Sequence, residues 1–380
     1  MPEARPPGLY AHVPFCRAKC PYCDFFSVPA LRLVPDWLAA LGLEVERCSL
    51  WRDTLFDTLY IGGGTPTALA DEALADLFSI LHKAFRFTAD VEVTVEANPE
   101  DLSPEKAALL RGLGANRLSL GAQSFETEGL TLLGRRHGPG ETLRSIESAR
   151  AAGFQNLGLD FIYGRPGQTV VAWLEELARA VSFRPEHLSC YQLTFEPKTV
   201  FGRMKAEGRL VPPDEERARE LFLATADFLT GQGYEHYEVS NFALGAENRS
   251  RHNQKYWRRA AYLGLGPSAH SFKDEERWWN VASVKGYCRA LSEGASPAAG
   301  RERLDPEQRA LEELYLGLRT SEGVALAEAA GRPGFGAGLA AALERGLVKV
   351  SAGRVVPTVE GFLVADRLPL LFEGGPFVAD

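Results

Sequence analysis

The segment Cys16-Arg17-Ala18-Lys19-Cys20-Pro21-Tyr22-Cys23 places three thiols on one short stretch of chain. Three thiolates on one loop can hold three corners of a cubane iron–sulfur cluster and leave the fourth iron open to another ligand. A structural zinc ion is the plainer alternative. It needs four closed ligands; His12 can supply one, but the chain has no second Cys-x-x-Cys pair. Six cysteines among 380 residues are too few for a disulfide scaffold, so in a reducing compartment the tight trio reads as metal or redox chemistry. Cys48, Cys190 and Cys288 stand apart in apolar patterns and read as small buried hydrophobes.

The spacing CxxxCxxC, with an aromatic residue before the last cysteine, resembles the radical S-adenosylmethionine (SAM) superfamily. The resemblance implies a [4Fe–4S] cluster on Cys16, Cys20 and Cys23. Its open iron would be chelated by the amino and carboxylate groups of SAM, and the cluster would supply the electron that splits the sulfonium to a 5′-deoxyadenosyl radical. Other segments recur at intervals that suit it. Gly62-Gly63-Gly64-Thr65-Pro66 reads either as a tight turn or as a place where carbonyls approach the SAM ammonium. Glu96, Gln123 and Asp160 each lie in or at the end of an otherwise apolar strand pattern. One such residue is usually a helix cap or a solvated group; three together can hydrogen-bond a ribose and a carboxylate. Arg135 offers a two-pronged fork for a carboxylate.

The resemblance narrows to the oxygen-independent coproporphyrinogen III oxidases and their relatives, over almost the whole chain. Tyr10, Tyr22, Gly63, Gly64, Thr65, Glu96, Gln123, Arg135 and Asp160 fall where that family binds SAM. Two departures stand out. The oxidases carry a further cysteine two positions past the third, where this chain has Phe25, and they have a longer N-terminal extension. Both departures are similar to the haem-chaperone branch, HemW. The segment Arg251-His252-Asn253-Gln254-Lys255-Tyr256-Trp257 resembles the HNxxYW signature of that branch. An imidazole can ligate haem iron and aromatic rings can pack on a porphyrin, which makes His252, Asn253, Tyr256 and Trp257 candidates for haem contact; an aromatic turn with a capping His is the plain reading. His270 is a second candidate. The resemblance implies haem and haem-acceptor proteins such as respiratory enzymes as partners, along with an electron donor, at most peripheral membrane contact and a possible homodimer. The alternative is the oxidase reaction itself, radical decarboxylation of coproporphyrinogen III.

These residues need elements to position them. Strand-like and helix-like segments alternate from Leu9 to about Leu244. Strands are expected at 9–14, 58–63, 91–97, 117–122, 157–163, 188–194 and 235–240, with amphipathic helices between them at 34–50, 71–84, 104–113, 141–152, 170–183 and 217–229. Near-continuous apolar strands with helical crossovers predict a parallel sheet. Six such units predict an α/β fold: an incomplete (β/α)6 TIM-like barrel of radical SAM type, with chemistry at the C-terminal strand ends. Residues 1–240 would form this barrel and residues 241–300 a connecting region, with 293–303 as linker. Residues 301–380 would form a small winged-helix-like α+β module, its last helix at 361–371.

That module carries nine basic and twelve acidic residues, and the whole chain has a net charge of −8. Tracking a phosphate backbone calls for the opposite sign, so no nucleic-acid partner is expected. No apolar run approaches the ~20 residues of a membrane span, and Met1 to Gly8 lack the apolar stretch of a signal peptide. A cytoplasmic location is expected.

Overall fold

The computed structural model describes residues 6–331 and 334–372; the first five residues of the N-terminal reading above lie outside it. Six parallel strands follow one another in space in chain order: β1 (Gly8–Val13), β2 (Leu55–Gly63), β3 (Arg86–Ala97), β4 (Arg117–Gln123), β5 (Asn156–Tyr163) and β6 (His187–Gln192). Helices Val34–Arg47, Asp71–Ala84, Pro104–Gly112, Pro139–Ala151 and Val170–Ser182 make the crossovers between them. The six strands and their helices form the incomplete parallel barrel.

The strands are not continuously apolar. Leu9, Ala11 and Val13 of β1, Leu59 and Ile61 of β2, Val93 and Val95 of β3, and Leu118 and Leu120 of β4 are buried in the main apolar core. The alternate positions carry Tyr10 and His12, Thr58 and Tyr60, Thr94 and Glu96, Arg117 and Ser119, and Asp160. Successive strand residues point to opposite faces. One face of each strand therefore packs on the helices, and the other gives the barrel a polar interior.

The seventh expected strand does not extend the parallel set. Glu235–Glu238 (β7) and Asn241–Ala243 (β8) form an antiparallel hairpin, and β8 pairs antiparallel to β6. At the other edge β1 pairs parallel with Tyr262–Leu265 (β9). The sheet then continues antiparallel through His270–Lys273 (β10), Glu276–Asn280 (β11) and Ala298–Arg303 (β12). The expected linker at 293–303 thus ends in an edge strand. Its Pro297 and Gly300 suggested a break, but Pro precedes the strand and Gly300 is needed for packing: a Cβ there would meet the Trp279 ring at 2.5 Å.

The C-terminal module has its own apolar core, including Leu314, Phe335, Leu347, Val355 and Phe372. Helices Pro306–Gly317 and Phe335–Glu344 pack with a three-stranded wing, Val324–Ala325 (β13), Val348–Ser351 (β14) and Arg354–Pro357 (β15). The single last helix expected at 361–371 is two short ones, Val359–Leu363 and Leu368–Leu371. Pro369 has no N–H to give a continuous helix, so the turn breaks before it. The module is joined to the barrel by backbone bonds from Val239 N–H to the Arg319 carbonyl at 3.2 Å and from Ser321 N–H to the Tyr237 carbonyl at 2.9 Å. Among the described residues no helix is long and apolar enough to cross a membrane.

Candidate functional site

The cysteine loop leaves β1 at the C-terminal mouth of the barrel and is tied down at several points. Cys16 N–H donates to the Val28 carbonyl at 3.3 Å, and Cys23 N–H to the Cys20 carbonyl at 3.2 Å. Arg17 pairs with Asp101 beyond β3. Phe201 N–H donates to the Pro21 carbonyl at 3.0 Å. Gly134, with φ +65°, lets the loop come close, since a Cβ there would meet Pro21 Cδ at 2.7 Å.

The second strand ends against the same loop. Gly64 N–H donates to the Val13 carbonyl at 2.8 Å and Thr65 N–H to the Phe15 carbonyl at 2.7 Å. A Cβ on Gly64 would lie 2.5 Å from the Phe15 carbonyl oxygen, and one on Gly63 (φ +106°) 2.4 Å from the His12 ring. Close packing of β2 on β1 therefore already requires glycines here. Thr65 turns its hydroxyl to Cys16 Sγ at 3.4 Å.

Arg135 crosses the mouth from the turn after helix Thr127–Leu132. Its guanidinium donates to Cys20 Sγ at 3.6 Å, to the Gly121 carbonyl at 3.1 Å and to Asn98 Oδ1. Asn98 in turn donates to Thr65 Oγ1 at 3.0 Å. Gln123 closes β4 with φ +62°, a sparsely populated conformation for a residue with a side chain. Its amide lies beside Gly121, where a Cβ would meet Gln123 Nε2 at 2.8 Å.

One layer below, Glu96 accepts from the Tyr60 hydroxyl at 2.7 Å and from Gly63 N–H at 2.9 Å. Burial pushes its carboxyl up to about 7. Asp160 accepts from the Ser119 hydroxyl at 2.8 Å, and burial raises its carboxyl too. Tyr10 donates to or accepts from His12 Nδ1 at 2.8 Å and lies 6.1 Å, ring to ring, from Tyr60. Tyr22 packs beside Phe201 in a small apolar cluster with Leu133 and Leu193.

The mouth suits an iron–sulfur cluster. Three thiols share one loop, and two of them take hydrogen bonds from a hydroxyl and a guanidinium. His12 is not a fourth ligand for zinc: its other ring nitrogen bonds the Phe26 carbonyl at 2.8 Å, so both are engaged. Burial lowers that imidazole to about 4 and keeps it neutral. Among the described residues no group of three His, Cys, Asp or Glu converges on one metal ion. The mouth also suits a zwitterionic ligand: Arg135 Nε and Asp160 Oδ1 are buried without a hydrogen-bond partner. A donor and an acceptor are thus both open.

Sequence reasoning missed Asn98 and Tyr60. Asn98 had a signal, since an Asn-Pro pair ends β3 beside Glu96. Tyr60 had none beyond its alternate-face position.

The HNxxYW residues are not at this mouth. Helix Arg251–Trp257 lies at the opposite end, where the strands begin. Thr58, next to β1 Gly8 in register, bonds His252 Nδ1 at 2.8 Å. Thr58 precedes Gly63 by five strand positions, or about 16 Å. Tyr256 hydroxyl bonds His252 Nε2 at 2.9 Å, so both nitrogens of this buried ring are occupied. Burial lowers its pKa to about 3. Glu92 caps the helix by accepting from the N–H groups of Arg251 and His252, each at 3.1 Å. Lys255 pairs with Asp57 at 2.5 Å. Asn253 N–H donates to Ser250 Oγ at 3.2 Å, and Trp257 Nε1 is buried without a partner.

A partial barrel of six parallel strands with three thiols just past the first defines a radical SAM protein. The Radical SAM superfamily matches residues 10–180, and the HemN C-terminal domain matches residues 304–364. Coproporphyrinogen III oxidase (HemN) from Escherichia coli has the same fold, with a TM-score of 0.82 at 24% identity over 97% of this chain and 90% of that one. Heme chaperone HemW of Bacillus subtilis is 36% identical over 95% of this chain and 97% of its own length. Heme chaperone HemW of Mycobacterium tuberculosis is 36% identical over 96% and 94% respectively. The chain belongs to the HemW family. The superfamily's cofactors are a [4Fe–4S] cluster and SAM.

Proposed function

We propose that the protein is a cytoplasmic haem chaperone: it binds haem and passes it to acceptor haemoproteins such as respiratory enzymes. Kinship with HemW proteins along nearly the full chain carries this reading. Phe25 supports it. This ring stands 70% exposed where the oxidases of the wider family have a further cysteine. An electron donor, peripheral membrane contact and a homodimer belong to the same reading.

Cys16, Cys20 and Cys23 would hold the cluster, and its open iron would take the amino and carboxylate groups of SAM. When bound, the cluster supplies one-electron chemistry at the sulfonium. The chain's own residues bind and orient. Arg135 neutralises thiolate charge and keeps one N–H for the ligand. Gln123, Asn98 and Asp160 offer amide and carboxylate partners, and Glu96 fixes the Gly63 backbone through its N–H. Tyr22 and its apolar neighbours cover one side of the loop against water.

The experiment is a transfer assay. Haem-loaded protein, reconstituted anaerobically with iron and sulfide, is mixed with an apo-haemoprotein and separated from it again. The Soret absorbance should move to the acceptor. If haem never loads, or loads and stays when acceptor is in excess, the chaperone reading fails.

A further inference from the structure

The antiparallel edge of the sheet presents a groove that the barrel chemistry does not use. Register places Tyr262, Phe272 and Arg277 in one row across β9, β10 and β11, and His270 and Trp279 two positions along on the same face. Helix Pro306–Gly317 walls the far side with Glu312 and Leu316, enclosing about 430 Å³. The Trp279 indole lies across β12 at Gly300, where any Cβ would strike it at 2.5 Å. His270 stacks on that indole, with centroids 5.8 Å apart and planes 23° apart. Stacking holds the imidazole by its face. Its edge, which carries both nitrogens, has no hydrogen-bond partner among the described residues, and the side chain is exposed.

An unbonded imidazole beside a row of aromatic rings is what a flat iron tetrapyrrole requires: an axial nitrogen and apolar surface. We propose that this groove is the haem site, with His270 as the axial ligand and Trp279 and Phe272 as packing surface. This rests on the haem-chaperone reading and gives it a location. Arg277, shared by Glu302 and Glu312, lines the same groove and can exchange a glutamate for a ligand carboxylate. The HNxxYW motif meets the groove through one residue. Tyr256 lines it, packs edge-on against Tyr262 at 4.7 Å, and is held by His252 from behind. His252 is then a positioning residue. It could reach iron only by giving up its bond to Thr58 or its bond to Tyr256.

Ferric haem is titrated into the full-length wild type and into His270→Ala, Trp279→Ala and His252→Gln, with the Soret and visible bands followed. Thermal melting and iron reconstitution confirm that each variant folds. His270→Ala should lose the imidazole-ligated spectrum and regain it when free imidazole is added. Trp279→Ala should keep the spectrum and bind about tenfold more weakly. His252→Gln should keep the spectrum. A wild-type spectrum in folded His270→Ala, or loss of the imidazole-ligated spectrum in His252→Gln only, would overturn this site while leaving the chaperone reading standing. No haem uptake by wild type would overturn both.

Discussion

At the floor of the barrel Lys255 meets Asp57, Arg251 meets Asp57 and Asp90, and Glu92 caps the helix that carries both cations. At the mouth Arg135 meets the Cys20 thiol, an amide and a carbonyl, keeps an unpaired Nε, and has no carboxylate in a salt bridge with it among the described residues. The same strands supply both ends. At the floor opposite charges answer each other around the HNxxYW helix. At the mouth a cation faces sulfur and keeps a donor open. Polar residues inside a barrel become a binding site where their partners are missing from the chain.

The largest effect that separates the two ends is on iron. Replacing Cys16, Cys20 and Cys23 together with Ala should reduce anaerobically reconstituted iron from about four per chain to background, while the melting curve still shows a folded barrel. Iron retained by the triple variant would remove the cluster from the mouth.

Lys255→Met probes the floor. It removes the Lys255 ammonium from Asp57, which keeps Arg251 as a partner, and from the Pro6 carbonyl, and should cost roughly 1–3 kcal/mol in urea unfolding, with iron content unchanged. If iron is lost and stability is kept, the assignment of roles to the two ends is wrong.

Arg135→Ala is the counterpart at the mouth. Loss of a charged hydrogen-bond donor costs roughly 1–3 kcal/mol, so SAM should bind about 5- to 150-fold more weakly by calorimetry. Wild-type affinity would take Arg135 out of the pocket.

The smallest effect is on pH dependence. Burial raises the Glu96 carboxyl to about 7, against ~4.3 in an unfolded chain. The folded state therefore holds this proton more tightly. Its contribution is fully present below the unfolded value and is lost as pH rises to about 7. Glu96→Gln should remove that decline, so that the variant gains on wild type as pH rises through the window. Unfolding curves for the two proteins that stay parallel at every pH would show that Glu96 is not buried as described.

Much of this was legible in the residues. The βα alternation marks all six parallel strands and their crossover helices, because strand and helix periods differ and Gly or Ser punctuates most of the junctions. The cysteine trio and Arg135 mark the mouth. The edge strands β9 to β12 were not legible: each has only four to six residues, too short for a period to show, and they are strands because β1 offers them an edge. The polar interior was hidden for a related reason. Tyr60 and Ser119 look like ordinary strand residues until closure of the barrel turns alternate positions inward. The HNxxYW residue types suggest iron contact, while the helix that carries them lies where the strands begin, with His252 bonded to Thr58 and Tyr256.

The most direct test sets haem carriage against radical decarboxylation. Protein reconstituted with its cluster is incubated anaerobically with SAM, a reductant and coproporphyrinogen III, and a parallel sample is titrated with haem. Haem should bind at about one per chain, and coproporphyrinogen III should be recovered unchanged. Steady formation of protoporphyrinogen IX and carbon dioxide would contradict the account.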